Sequence, residues 1–502
     1  MKKKIIIIGA GPGGLTTGMI LAHRGFDVTI HEKDDKVGGR NKYIKEKGYK
    51  FDVGPTFLMM KFLLDEVFEE AGANSEDYLD FIKLDPMYRL QFADKIVELS
   101  SDHKKTREEI ARLFPGNEKG FDSFMRREKK RFDRMFPCLQ KHYGTIGRML
   151  DRDLLRALPH LSLGKSMYQV LKGYYDNDRL RMSFTFQSKY LGMSPWDCPA
   201  AFMIIPYIEH SFGIYHTKGG LSEISEAMAK VFKKNKGNLR LKSAVRNLIV
   251  EDGKVRGVEL EDGRKDMADN VIINSDFAYS MKELAGKNVR KYSNKNLMKK
   301  KYSCSTYMLY LGLDKIYDLP HHSIIFSEDY RKYVDDVFKS KTINPDISFY
   351  IRNASVTDKT LAPKGHSALY ILVPVPNQKS GIDWKSELPR IRLRVLELLK
   401  EKAGMADIDR HIKFVREITP DDWENDYNVF LGATFNLSHD INQMLYFRPH
   451  NKFEELECCY LVGGGTHPGS GLPTIYESGR ITANLLSRRH KIKFKTKNLE
   501  VH

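Results

Sequence analysis

Residues 4–14 read KIIIIGAGPGG, and they restrict the fold more than any other stretch of the chain. Four β-branched side chains in a row suit a parallel strand buried on both faces. The glycines that follow are spaced G-x-G-x-x-G at Gly9, Gly11 and Gly14. They stand between that strand and a helical pattern from Leu15 to Arg24, with Leu15, Met19 and Ala22 on one face. A second short strand pattern, Val28–Glu32, ends on an acidic residue. Strand, glycine turn, helix and a strand closing on Glu make up the unit that binds a dinucleotide. Gly9 permits the tight turn, Gly11 lets backbone approach a pyrophosphate and Gly14 lets helix and strand pack closely. Glu32 is placed to accept hydrogen bonds from a ribose diol. The apolar run ends in a glycine turn rather than a cleavage site, so it predicts a buried strand and not a secretion signal.

A second glycine-rich run, GGGTHPGSGLPTIYESGR, occupies residues 463–480. It too lies between a strand pattern (459–462) and a helical one (480–486). Just after Glu32 and Lys33 comes Val37-Gly38-Gly39-Arg40, whose arginine could make a charge-assisted bond to a pyrophosphate. Gly48-Tyr-Lys-Phe-Asp-Val-Gly54-Pro55 follows. This extension resembles that of FAD-binding oxidoreductases of the amine-oxidase and carotenoid-desaturase type, in which the stretch containing Gly54 and Pro55 lies near the flavin.

The chain has 502 residues, too many for one compact core. With 41% hydrophobic and 29% charged residues it is a folded protein rather than a disordered one. No window is long and apolar enough for a spanning helix. The five cysteines form no C-x-x-C pair, so reduced thiols and no metal site are expected. The net charge of +17 would attract nucleic acid or an anionic membrane surface, although composition alone favours a plain solvated surface. Residues 62–172 read as mostly helical and charged, whereas 302–311 and 367–373 read as strands. From Met135 to Val170, leucines alternate with Arg148, Arg152, Arg156 and Lys165, a mix that suits a helix lying in a membrane interface as well as a buried helical subdomain.

A resemblance to the bacterial-type phytoene desaturase family runs through essentially the whole chain. FRPHN (447–451), YLVGGGTHPG (460–469), GLP (471–473), TPDDWENDYNVFLGATFNL (419–437), GGLSEISEAMAK (219–230) and FTFQSKYLGMSP (184–195) carry it. It implies an α/β architecture: a Rossmann-like, amine-oxidase-like FAD-binding domain with a discontinuous α+β substrate domain and a helical membrane-facing subdomain. The FAD domain would combine 1–60, 215–285 and 425–502, and the substrate domain 61–214 and 286–424, with the membrane-associating part around 110–175. The implied reaction is FAD-dependent desaturation of a long apolar polyene, of the phytoene or dehydrosqualene type, with a hydride passing to flavin N5 and a neighbouring proton lost. Sibling chemistries on the same scaffold (isomerase, saturase, terminal carotenoid oxidase) share the cofactor motifs. Thr474, where many members have glycine, and the bulky Tyr476 and Glu477 leave that choice open. A basic nucleic-acid-binding or scaffold protein is the alternative from another class, and it would carry no flavin.

The cofactor contacts implied are Gly9, Gly11, Gly14, Glu32, Lys33, Gly39, Arg40, Gly54, Pro55, Val245, Gly464, Gly465, Gly471, Leu472 and Pro473. A helix starting near Pro473 would aim its N-terminal amides at the edge of the flavin that turns negative on reduction. The implied partners are the polyene, an anionic membrane surface, and a quinone or oxygen as electron acceptor, with no nucleic acid. The expected location is cytoplasmic and peripheral to the membrane. Asp153 and Arg156, three apart on one helical face, resemble a polar pair near the substrate opening, or are a surface ion pair. His467 either positions the flavin and relays a proton or satisfies loop carbonyls. His216 is read as structural.

Overall fold

The computed structural model describes residues 2–498. The ends of the expected FAD unit, Met1 and 499–502, lie outside the described residues. The isoleucine run is the strand Lys4–Ile8, in the middle of a five-stranded, all-parallel sheet. The strand order is Asn238–Arg240, Asp27–His31, Lys4–Ile8, Asn270–Ile273, Cys459–Leu461. Side chains alternate across it, as a period of two requires. Ile5, Ile7, Ile272 and Tyr460 face the helices Pro12–His23, Ser222–Lys234 and Leu472–Arg489. Ile6, Ile8, Val271 and Leu461 face a three-stranded antiparallel sheet, Val245–Glu251, Lys254–Leu260 and Lys265–Met267. Each isoleucine fully buried here contributes roughly 1.5–3 kcal/mol.

A larger, seven-stranded sheet forms the second layer. Its order is Ile412–Ile418, Ser305–Leu313, Ser367–Val375, Phe349–Asn353, His322–Ile325, Tyr88–Gln91, Ile96–Leu99. All neighbours are antiparallel except His322–Ile325 with Tyr88–Gln91. The last two strands fall inside the stretch read as mostly helical. Each is only four residues long; Tyr88–Gln91 takes its place from the distant His322–Ile325, and Ile96–Leu99 folds back onto it as a hairpin. The helical reading of that stretch is met by Lys61–Glu70, His103–Leu113 and the 22-residue Glu118–Leu139, whose Phe121, Phe124, Met125 and Phe132 are buried.

A buried polar hub joins the layers. Arg352 Nη1 donates to Asp52 Oδ2 at 2.7 Å, and Nη2 lies 3.1 Å from His216 Nδ1. Asp52 also accepts from the Leu221 and Ser222 amides, both at 2.9 Å, at the start of Ser222–Lys234, where helix dipole and carboxylate favour each other. Burial alone would raise the Asp52 carboxyl, but Arg352 and the two amides hold it below the usual carboxylate value. The C-terminal helix is anchored by Arg480, which donates to Glu66 at 2.9 Å and to Glu70 at 2.7 Å. Glu477 and Tyr476, out of place by the family pattern, are both buried, Glu477 against Arg480 and Tyr476 in the apolar core beneath the parallel sheet. Glu477 accepts from Gln140 Nε2 at 3.1 Å and from Asn498 Nδ2 at 3.0 Å.

Candidate active site

The helices Pro12–His23, after Gly11, and Leu472–Arg489, after Gly471, both follow a glycine and begin without a side-chain cap. Amides of a first turn have no partner within the helix and carry the positive end of its dipole. Both starts open onto one cavity of about 450 Å³. From this glycine cradle the cavity continues along the inner face of the seven-stranded sheet. There Met308, Leu372, Tyr350 and Ile324 stand side by side on four neighbouring strands, giving an apolar strip across the register.

All the cofactor-site residues expected from sequence line this cavity except Gly14 and Pro473. Gly14 works one step back. A Cβ on it would stand 2.3 Å from the Gly9 carbonyl oxygen and 2.7 Å from Asn274 Nδ2, so only glycine lets the helix sit against the turn. Pro473 is the second residue of the C-terminal helix and is buried. The crowding at Gly464 and Gly465 comes from protein. Cβ atoms there would lie 2.8 Å from Asn436 Nδ2 and 2.6 Å from Phe277 Cβ. Thr474 Oγ1, one turn into the helix, lies 2.8 Å from the Ser470 carbonyl and 2.9 Å from that of Gly471, which ties down the loop before it.

Charge in the cradle is balanced. The Glu32 carboxylate accepts from the Ala10 amide at 2.7 Å and the Asp34 amide at 3.0 Å, one on each oxygen, so each oxygen keeps a lone pair for a further donor. Burial raises its carboxyl above the ordinary value, and those two amides oppose the shift. Lys33 Nζ reaches the Asp426 carbonyl at 2.5 Å. Arg40 Nη1 lies 3.7 Å from Asp276 Oδ2 and 3.4 Å from the Thr434 carbonyl. Burial lowers its basicity and Asp276 restores part of it. Val245 opens the strand Val245–Glu251 at the rim.

The residues fit an FAD. The uncapped N–H groups of Gly11 and Gly13, on either side of Pro12, which has none, suit a pyrophosphate, the free lone pairs of Glu32 suit ribose hydroxyls, and the start of Leu472–Arg489 suits an anionic ring edge.

The three side chains expected to act in catalysis do not join this cavity. Asp153 and Arg156 lie on the surface helix Arg152–Ala157, 4.0 Å apart, with exposures of 32% and 47%. Asp153 is held instead by Lys141 Nζ at 2.7 Å. His467 is buried behind the cradle, edge-on to Tyr143 with ring centroids 5.2 Å apart. Burial drops its imidazole to about 3, so it is neutral at physiological pH. Its backbone is tied down at both ends: the amide donates to the Pro449 carbonyl and the carbonyl accepts from Asn451 Nδ2, each at 3.1 Å.

The cavity wall presents polar groups that local sequence does not reveal. Tyr88 OH and Gln187 Nε2 donate to Glu209 Oε2 at 3.1 and 2.8 Å. Glu209 itself is fully buried, and burial pushes its carboxyl up to about 7. His322 Nδ1 lies 2.6 Å from the Tyr350 hydroxyl, which lies 2.9 Å from Thr56 Oγ1. Burial holds that imidazole neutral. Lys189, inside the FTFQSKYLGMSP stretch, lines the cavity as well. The sequence marks the stretch but not the orientation of its lysine.

Among known proteins, the family described as flavin containing amine oxidoreductase matches residues 12–304. A 4,4'-diapophytoene desaturase (4,4'-diapolycopene-forming) from a Methylomonas species is 52% identical over 494 residues, covering 98% of this chain and 97% of that protein. An all-trans-zeta-carotene desaturase from Myxococcus xanthus is 36% identical over 499 residues, covering 97% and 93%. Among solved structures, an oxidoreductase from Methanosarcina mazei aligns over 95% of this chain and 99% of that one, with a TM-score of 0.62 and 17% identity, a likeness of fold.

Proposed function

The chain belongs to the bacterial phytoene desaturase-type family of flavin containing amine oxidoreductases and is an FAD-dependent oxidoreductase acting on CH–CH bonds, and from that premise we propose that it desaturates an acyclic thirty-carbon polyene of the dehydrosqualene type. One observation carries the reading: a single cavity joins the glycine cradle to the apolar strip of the seven-stranded sheet. Bound FAD supplies the acceptor for the hydride taken from the polyene. The strip Met308–Leu372–Tyr350–Ile324 orients the chain and keeps water away, which fixes the bond that reacts. The uncapped start of Leu472–Arg489 offers its amides to negative charge in the cradle. No strong base is asked of the wall, because the charge left on the substrate is allylic. The Glu209 carboxyl, which accepts from Tyr88 behind that wall, is pushed up to about 7 by burial and so exchanges a proton near neutral pH.

We assign residues 1–60, 215–285 and 425–502 to the cofactor unit and 61–214 and 286–424 to the substrate unit. The five parallel strands, all drawn from the first set, support that division. A peripheral membrane habit is part of the same reading. Among the described residues no helix is long and apolar enough to cross a membrane. Yet Ile146, Leu150, Leu155, Leu158 and Leu163 are exposed, Leu150 by 74%, on a segment that also carries Arg152, Arg156 and Lys165. A quinone or oxygen then takes the electrons onward.

The test is to incubate the FAD-loaded protein with 4,4'-diapophytoene in liposomes and follow the absorption spectrum. A lengthened, coloured conjugated system supports the reading. An unchanged chromophore, or a protein that binds no flavin, overturns it.

A further inference from the structure

Lys189 belongs to the short 3₁₀ segment Phe186–Leu191 and reaches into the interior. Its Nζ donates to Ser348 Oγ at 3.0 Å and lies 4.9 Å from the Tyr330 ring centroid and 5.4 Å from that of Phe326. Ring faces stabilise a cation, but among the described residues no carboxylate forms an ion pair with it. The titratable groups around it are the thiol of Cys304 and the phenols of Tyr330 and Tyr333. Burial holds all of them in the protonated, uncharged form. Lys189 nevertheless keeps accessible surface, because it lines the cavity beside Val334, Val337 and Phe338. An interior ammonium with no counter-ion is costly unless something completes it. Burial accordingly pulls its pKa down to about 7. The missing partner must supply an oxygen to accept from Nζ, and must tolerate aromatic and aliphatic walls everywhere else.

We propose that Lys189 is a recognition site for an oxygenated chain end: the cavity takes, besides a hydrocarbon, linear polyenes ending in a carboxylate or carbonyl, whose oxygen accepts a hydrogen bond from Nζ. The inference rests on the reading that this cavity holds an apolar polyene, and it names a second class of ligand for it.

The probes are geranylgeranoic acid, a linear polyene acid, and squalene, a linear hydrocarbon, titrated into the FAD-loaded full chain with tryptophan fluorescence as the readout. The acid's own ionisation is titrated in the same buffer without protein and divided out, so the remaining pH dependence reports the protein. The wild type is expected to bind the acid about tenfold more tightly at about pH 6, where Lys189 is charged, than at about pH 8.5, where it is not. Squalene affinity should stay flat over that range. K189M should lose about tenfold of the acid affinity at about pH 6. K189R should keep the affinity and lose the pH dependence, and it carries the test together with the wild-type profile if K189M does not fold. Equal acid affinity in wild type and K189M, or a flat wild-type profile, overturns the proposal. Squalene bound without any preference for the acid defeats this inference alone, whereas binding of neither ligand defeats the desaturase reading beneath it.

Discussion

Replacing Arg352 with methionine tests what holds the two layers of the molecule together. Arg352 and Asp52 are 3% and 1% exposed, so their 2.7 Å contact is desolvated. Methionine fills similar volume but leaves the Asp52 carboxylate with only the Leu221 and Ser222 amides. Stranding one partner of a buried pair costs about 3–5 kcal/mol, and the lost contacts to His216 and His321 add to that. Expected destabilisation is therefore about 4 kcal/mol, read as a fall in the urea midpoint at unchanged slope. The double variant D52N/R352M leaves no charge stranded and should be more stable than R352M alone. The pH profile follows from the same pair. The folded pKa of Asp52 is depressed, so its stabilisation is complete above the unfolded carboxylate pKa and is lost as pH falls through the folded one. Without Arg352 the carboxyl rises, and that loss should move to higher pH. A cost for R352M below about 1 kcal/mol, or a double variant less stable than R352M, would refute the reasoning.

Three further outcomes are expected. Gly14→Ala should give protein without flavin absorbance near 450 nm, because overpacking against the Gly9 carbonyl costs about 1–3 kcal/mol or more and deforms the cradle; the ratio of flavin to protein absorbance checks it. Asp153→Asn and Arg156→Ala should each leave turnover within about twofold of wild type and stability within about 0.5 kcal/mol, as exposed positions do, measured by product formation and thermal melts. Replacing Leu150, Leu155 and Leu158 together with serine should weaken flotation with anionic liposomes and leave the melting temperature within a few degrees, since all three are exposed.

The cofactor side of the molecule was legible because its constraints are local. A β-branched run, a glycine turn and an acidic strand end each carry their reason within a few residues, and the second glycine run repeats the pattern. What escaped is set at long range. Tyr88–Gln91 is a strand because His322–Ile325 offers it an edge, and nothing within residues 62–172 announces that partner. Lys189 and Glu209 look like any surface lysine and glutamate in sequence, and only the folded chain buries them. Asp153 and Arg156 show the converse, for they lie together on the surface helix Arg152–Ala157. Their spacing does put them on one helical face, but spacing cannot tell which face meets the interior. His467 lies in the right loop, yet its ring turns to Tyr143 and away from the cavity.

The central sheet holds a strand beginning at residue 4 and, on the far side of Asn270–Ile273, one ending at residue 461. During synthesis the first half of the cradle, at Gly9–Gly14, is made about 450 residues before the second, at Gly463–Pro473. Until Cys459–Leu461 is added, Asn270–Ile273 has an open edge and the Leu472–Arg489 helix is not there to close the opposite wall. Edges and apolar faces left open that long invite wrong partners. Cofactor retention therefore reports that both halves of the cradle, the turn at Gly9–Gly13 and the loop at Gly463–Leu472, have been made and brought together.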